Sequence, residues 1–209
     1  MNQSSPIRIL SVDDHPLLRD GLSALINNQP GMVLVAQAST AQEGIEQFRE
    51  HRPDVTLMDL RLPDKSGIEA IRDIRAEFPD ARVIVLTTFE GDVQIQRALE
   101  AGARAYILKN MPPKDLIEVI QQVHAGKKRV PSQVAARLAE HLSDEALTAR
   151  EIEALAELAD GNRNRDIAAK LSITEETVKV HIKHIMEKLG ASDRTEAVAI
   201  GLRRGIIQL

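Results

Sequence analysis

The sequence predicts an α/β domain built on a parallel sheet, followed by a smaller all-helical domain. Three observations carry this. Five short β-prone runs alternate with five helical patterns across residues 1–126. Charged residues close three of those runs: Asp13 and Asp14, then Asp59, then Lys109. Beyond residue 147 the strand pattern stops and only helical periodicity remains.

The strands are expected at 7–12, 32–38, 55–58, 83–87 and 105–108, each a short run rich in Val, Ile and Leu. Helices are expected near 16–28, 40–51, 66–78, 92–101 and 112–126. Ser39 reads as a start signal for the second helix, and Gly102 and Gly126 as stop signals for the fourth and fifth. Residues 127–146 change character. Lys127, Lys128 and Arg129 form a basic cluster, Pro131 breaks structure, and a polar, partly helical stretch follows, which reads as a linker. Residues 147–209 hold four helical patterns, at 149–159, 164–171, 175–189 and 193–204. Thr148 and Glu151 give the first a capping-box signature. The organisation is therefore 1–126, a 127–146 linker, and 147–209.

A chain of 209 residues accommodates two domains. With 43% hydrophobic and 28% charged residues, a globular protein is expected instead of a disordered one. The absence of cysteine excludes disulfides and thiolate metal sites. Apolar runs are too short to span a bilayer, and no basic-then-apolar leader precedes Ile7, so a cytoplasmic protein without membrane partners is expected. Residues 1–126 carry 13 Lys and Arg against 18 Asp and Glu, whereas residues 161–209 carry 9 against 6. An acidic front and a basic tail point to different partners, with an anion at the tail.

Residues at the C-terminal ends of parallel strands meet at one edge of the sheet, where sites form. Three carboxylates there repel one another, and a hard divalent cation with oxygen ligands relieves the repulsion. An ammonium beside that cation neutralises an incoming phosphoryl group. Thr87 adds a hydroxyl at the same edge. Taken singly these residues have plainer explanations. Asp14 could cap the helix starting at Pro16, and Lys109 could be a solvated charge. Together, in this order and on successive strands, they resemble the receiver domain of a bacterial two-component response regulator.

Asp-Leu-Arg-Leu-Pro-Asp-Lys-Ser-Gly, from Asp59 to Gly67, strengthens the resemblance. It implies a flavodoxin-like five-stranded sheet of order 2-1-3-4-5. It implies Mg²⁺ held by Asp13, Asp14, Asp59 and the backbone carbonyl of Arg61. It also implies Asp59 as the phosphate acceptor, supplied by a sensor histidine kinase, with Lys109 and Thr87 assisting. Thr87 and Tyr106, the single tyrosine, would form the switch pair. Arg61 and Phe89 occupy the positions that tune phosphoryl lifetime. Chemistry beyond self-phosphorylation and slow autodephosphorylation is not expected. An aspartyl-phosphate phosphohydrolase would need a second acid two residues after the nucleophile, where this chain has Arg61.

The 175–189 helix sorts into two faces. Val178, Ile182, Ile185, Met186 and Leu189 form a core stripe, while Val180, Lys183, His184 and Glu187 face the other way with Lys179 at the margin. Thr174 reads as its N-cap. An outward valine suits a thymine methyl, and lysines suit guanine edges or phosphates. The blocks 147–151, 164–168 and 177–183 resemble a LuxR-type helix-turn-helix domain of the NarL/FixJ class. That resemblance implies an all-α four-helix domain on double-stranded promoter DNA, with Lys179, Val180 and Lys183 reading bases. It makes Arg165, Thr177, His181 and Lys188 the backbone contacts. It assigns Ala197, Val198 and Gly201 of the last helix to a dimer surface in the active homodimer; the alternative is that they complete the four-helix core. The expected function is a phosphorylation-switched transcriptional regulator, with a phosphorylation-independent DNA binder as the competing possibility.

Overall fold

The computed structural model describes residues 5–88, 91–130, 135 and 145–207. The elements run β1 (Ile7–Val12), α1 (Pro16–Asn27), β2 (Met32–Ala38), α2 (Ala41–His51), β3 (Val55–Met58), α3 (Gly67–Glu77), β4 (Val83–Thr87), α4 (Asp92–Glu100), β5 (Ala105–Leu108) and α5 (Pro113–His124). Four helices follow: α6 (Ala149–Ala159), α7 (Asn164–Leu171), α8 (Glu175–Leu189) and α9 (Arg194–Arg204). The described residues fall into two compact units, one within Met1–Thr88 and Gln96–Ala135, the other within Phe89–Ile95 and Ala136–Leu209. The helical part expected in the linker and Phe89 lie largely or wholly outside the described residues.

In the first unit the five strands are all parallel, in the order β2-β1-β3-β4-β5. The central strands are buried on both faces, so they read as continuous aliphatic runs. On one face Ile9, Val55, Leu57, Ile84, Leu86, Ala105 and Ile107 pack with Leu22 and Ile26 of α1 and with Leu116, Ile117, Ile120 and Val123 of α5. The other face carries Val12, Met58, Val85 and Tyr106, which are in register across β1, β3, β4 and β5. There α2 comes so close that a Cβ on Gly44 would lie 2.9 Å from the Val12 side chain. Glycine is thus required for this approach of helix to sheet.

One local expectation is corrected, and one plainer alternative falls away. Thr40, not Ser39, is the N-cap of α2, accepting from the Glu43 N–H; Ser39 instead donates its N–H and hydroxyl to the Glu43 carboxylate. The N-cap of α1 is His15, so Asp14 is not spent on capping.

The second unit is all-helical among its named elements. Ala154, Leu155, Ile185, Ala197, Ile206 and Ile207 form one buried cluster, and Leu158, Ile167, Ala168, Val178 and Ile182 a second. Ala197 and Gly201 face inward: a Cβ on Gly201 would lie 2.8 Å from Leu155 Cδ2. The small residues of α9 therefore complete the core, the alternative weighed against a dimer surface, because α9 needs close contact with α6. Among the described residues no helix is long and apolar enough to cross a membrane.

Candidate functional site

The edge of the sheet is built by one ladder bond beyond each strand. The Asp13 N–H donates to Ala38 O at 3.0 Å, Asp59 N–H to Val12 O at 2.9 Å, and Lys109 N–H to Thr87 O at 2.9 Å. Each charged residue is thereby fixed at the strand C-termini, with its side chain free of the ladder.

Asp13 and Asp59 are 2% and 3% exposed. Lys109 Nζ lies 2.7 Å from Asp13 Oδ2 and 2.7 Å from Asp59 Oδ2. Burial by itself would lower the lysine pKa; the hydrogen bonds and charges of Asp13 and Asp59 outweigh it and hold the ammonium above its ordinary value. Asp14 is more open, and His15 Nδ1 sits 2.7 Å from Asp14 Oδ1 and 3.1 Å from Asp13 Oδ1. The Arg61 N–H donates to Asp59 Oδ1 at 3.3 Å, which brings that peptide against the Asp59 carboxylate.

One potential ligand atom from each of Asp13, Asp14, His15 and Asp59 falls within 4.8 Å of the others. Three carboxylates against one ammonium leave a formal charge of about −2, which a single divalent cation neutralises. The oxygen-rich donor set fits Mg²⁺.

The loop after Asp59 is held in place by its own sequence. A Cβ on Gly67 would lie 1.9 Å from the Asp59 carbonyl oxygen, so only glycine lets α3 start there. Ser66 and Glu69 close a reciprocal capping box on α3. Asp64 accepts from the Ala41 and Gln42 N–H groups, each at 2.8 Å, tying the loop to the start of α2. Burial opposes ionisation of Asp64, but these backbone hydrogen bonds prevail and lower its pKa.

Thr87 and Tyr106 are fully buried. Val85 is the register partner of Tyr106, and Thr87 lies two residues further along β4, so Thr87 and Tyr106 share one face on adjacent strands.

In the second unit Ser172 takes a left-handed conformation (φ 55°) at the end of α7, and Thr174 then caps α8, accepting from the Thr177 N–H at 3.2 Å. Val178, Ile182 and Ile185 are buried, and Val180 is 50% exposed. Lys179 and Lys183 are exposed beside it and pair with acidic neighbours, Lys179 with Glu176 at 2.6 Å and Lys183 with Glu187 at 3.6 Å. Arg165 is exposed on α7, and Thr177 and His181 are half-buried. Lys188, further along α8, is held in ion pairs. Its ammonium lies 3.0 Å from Glu151 and 3.3 Å from Glu145, and its side chain is 14% exposed.

Two residues escaped the sequence reading. His15 directly follows the acidic pair, but adjacency does not say where a ring points. Glu151 was read only as a capping residue; it is also a buried partner of Lys188, 37 positions away.

A five-stranded 2-1-3-4-5 sheet with an acidic pocket and lysine at its edge, joined to a helix-turn-helix unit, defines a response regulator. Residues 9–121 match the family of response regulator receiver domains, and residues 145–200 match the luxR family of bacterial regulatory proteins. The chain belongs to the two-component response regulators with a LuxR-type DNA-binding domain, the NarL/FixJ class. It is 38% identical to the uncharacterized transcriptional regulatory protein YxjL of Bacillus subtilis (strain 168), covering 97% of this chain and 98% of that protein. It is 37% identical to the transcriptional regulatory protein LiaR of the same organism, covering 96% and 99%. The structure of RcsB from Salmonella enterica serovar Typhimurium, bound to a promoter with the phosphomimetic BeF₃⁻, aligns with a TM-score of 0.73 at 25% identity, covering 94% of this chain and 98% of that one.

Proposed function

We propose that this protein is a transcriptional regulator switched by phosphorylation of Asp59, which promotes dimerisation and promoter binding. The observation that carries the reading is the placement of Lys109 Nζ 2.7 Å from both Asp13 and Asp59 at the C-terminal edge of the sheet. A sensor histidine kinase is the expected donor. A carboxylate oxygen of Asp59 attacks phosphorus, the bond from phosphorus to the donor histidine nitrogen breaks, and an acyl phosphate forms. The nitrogen keeps the bond's electron pair. Mg²⁺, when bound by Asp13, Asp14, Asp59 and the Arg61 carbonyl, supplies charge neutralisation for the phosphoryl oxygens. Lys109 exchanges its Asp59 contact for a phosphoryl oxygen, and Thr87 donates its hydroxyl to another. Tyr106, on the same sheet face as Thr87, is the side chain that senses this change.

The exposed face of α8 is the proposed DNA reader. Lys179, Val180 and Lys183 approach bases, and Arg165, Thr177 and His181 approach the backbone. The Glu176 and Glu187 pairs do not block this, since exposed ion pairs of this kind are worth about 0–1 kcal/mol. The structure of RcsB bound to a promoter in the presence of a phosphomimetic supports DNA as the partner of this unit. Lys188 serves differently: its pairing with buried Glu151 fixes α8 against α6.

Intact-protein mass after incubation with acetyl phosphate and Mg²⁺ tests the switch. Wild type gains one phosphoryl group and Asp59→Asn gains none. Promoter binding that is equal for the phosphorylated and unmodified proteins would sink the mechanism.

A further inference from the structure

We propose that Arg104, Lys127, Lys128 and Arg129, at the N-terminal edge of the receiver sheet, form a second DNA contact that holds the phosphate backbone without reading sequence. This rests on reading the protein as a DNA-binding regulator and adds a contact outside the helix-turn-helix unit.

The row is built by the backbone. The Arg104 N–H donates to Val83 O at 2.7 Å where β5 begins. After α5 the chain turns at Gly126, which takes a left-handed conformation (φ 84°). It then returns along the outer side of β5, where the Arg129 N–H donates to Arg104 O at 2.9 Å and Ala105 and Arg129 form a parallel bridge. That bridge puts Lys128 beside Arg104, at the strand spacing of about 4.8 Å. The Lys127 N–H is fixed as well, donating to Gln122 O at 3.0 Å. The basic cluster is therefore part of the sheet edge, held in a set order where the chain leaves this unit.

Its charge is uncompensated. Residues 1–126 carry more Asp and Glu than Lys and Arg, yet no acidic residue occurs in 101–114 or 119–130. Elsewhere in the unit surface cations are matched, Arg49 with Glu77 and Lys65 with Asp73, each at 2.7 Å. Among the described residues, the side chains of Arg104, Lys127, Lys128 and Arg129 meet no hydrogen-bond or ion-pair partner. The last three are exposed, and Arg104 is half-buried. The negative end of the α5 dipole accounts for a cation at Lys127. It does not account for Arg104 and Arg129, which belong to the sheet edge. Cations aligned in this way repel one another, and a regular polyanion relieves the repulsion. Tyr106, the aromatic nearest in sequence to Arg104, is fully buried, so the row lacks a stacking platform and suits duplex phosphates over unpaired bases.

The test uses full-length protein, incubated with acetyl phosphate and Mg²⁺, and a mixed-sequence DNA duplex of about 40 base pairs as the probe. Fluorescence anisotropy follows affinity against salt. Lys127→Gln/Lys128→Gln is expected to bind about tenfold more weakly at about 0.1 M salt and to lower the salt slope by about 2, the ion release of a pair of phosphate contacts. Arg72→Gln/Lys114→Gln removes the same amount of exposed charge elsewhere on this unit and is expected to change neither. Lys179→Ala/Lys183→Ala reports α8 separately, and unchanged melts check that each variant folds. Equal losses in the two glutamine variants overturn the proposal, because net charge alone then explains them. No loss in Lys127→Gln/Lys128→Gln, with binding weakened by Lys179→Ala/Lys183→Ala, also overturns it and leaves α8 as the DNA reader. Binding indifferent to both of those variants removes the DNA reading, and this proposal with it. If Lys127→Gln/Lys128→Gln instead loses sedimentation with phosphatidylglycerol-containing vesicles while DNA binding is intact, the row belongs to a membrane surface and the proposal fails.

Discussion

Replacing Lys109 by methionine keeps the side chain's length and removes its charge from between two buried carboxylates. Each Nζ–Oδ2 pair is 2.7 Å long. At an effective dielectric of about 20, each such contact is worth about 6 kcal/mol before desolvation is subtracted. The variant does not lose the full sum. Desolvation of the ammonium and of the two buried carboxylates offsets much of that attraction. Stability of the first unit should therefore fall by about 3–4 kcal/mol, within the range for breaking a buried pair from one side. The loss should shrink in Mg²⁺, which takes over the lysine's neutralising role. For a site with a dissociation constant of about 1 mM, about 10 mM Mg²⁺ contributes about 1.4 kcal/mol, and more in the variant, where the carboxylates are uncompensated. Tyr106 is the single aromatic chromophore of its kind, with no tryptophan in the chain, and it is fully buried on β5. Its signal during urea unfolding reports the first unit selectively. A loss below about 1 kcal/mol, or one equal with and without Mg²⁺, would refute the electrostatic account of the pocket.

Three further outcomes follow from the geometry. Gly67→Ala places a Cβ 1.9 Å from the Asp59 carbonyl oxygen, so it should cost about 2 kcal/mol or more in the Tyr106-monitored melt and abolish acceptance of the phosphoryl group by mass. Glu151 has its pKa lowered in the fold: burial opposes this, but the Thr148 N–H and the Lys188 ammonium outweigh it. Its contribution is present above the ordinary glutamate range and is lost as pH falls through the lowered folded value, so the melting temperature of the second unit should drop below about pH 4.5. Glu151→Ala should remove that pH dependence and lower the midpoint by roughly 4–8 °C from the cap alone. Lys183→Ala on the exposed face of α8 should weaken promoter binding without changing the melt, and should reduce the salt slope by about 1 if the lysine meets a phosphate; an unchanged slope together with altered base preference would make it a base reader.

All five strands were legible to the residue because each is a short aliphatic run bounded by polar or glycine signals. The helix ends drifted by one or two residues where capping chemistry is shared, as at Ser39 and Thr40, which both bond to the same stretch of α2. The pocket was legible because parallel strands all point their C-termini one way, so residues distant in sequence must meet there. What the sequence alone determined is thus what depends on local periodicity and chain direction: the elements, their alternation, and the edge at which Asp13, Asp14, Asp59, Thr87 and Lys109 gather. Tertiary structure alone decided the pairings that span the chain. It turned Ala197 and Gly201 onto Leu155, locked Lys188 to Glu151 across 37 positions, and aimed His15 at the acidic pair instead of the helix it caps. Such choices depend on which partner lies opposite after packing, and no local pattern encodes the surroundings that a side chain meets only once the core has closed.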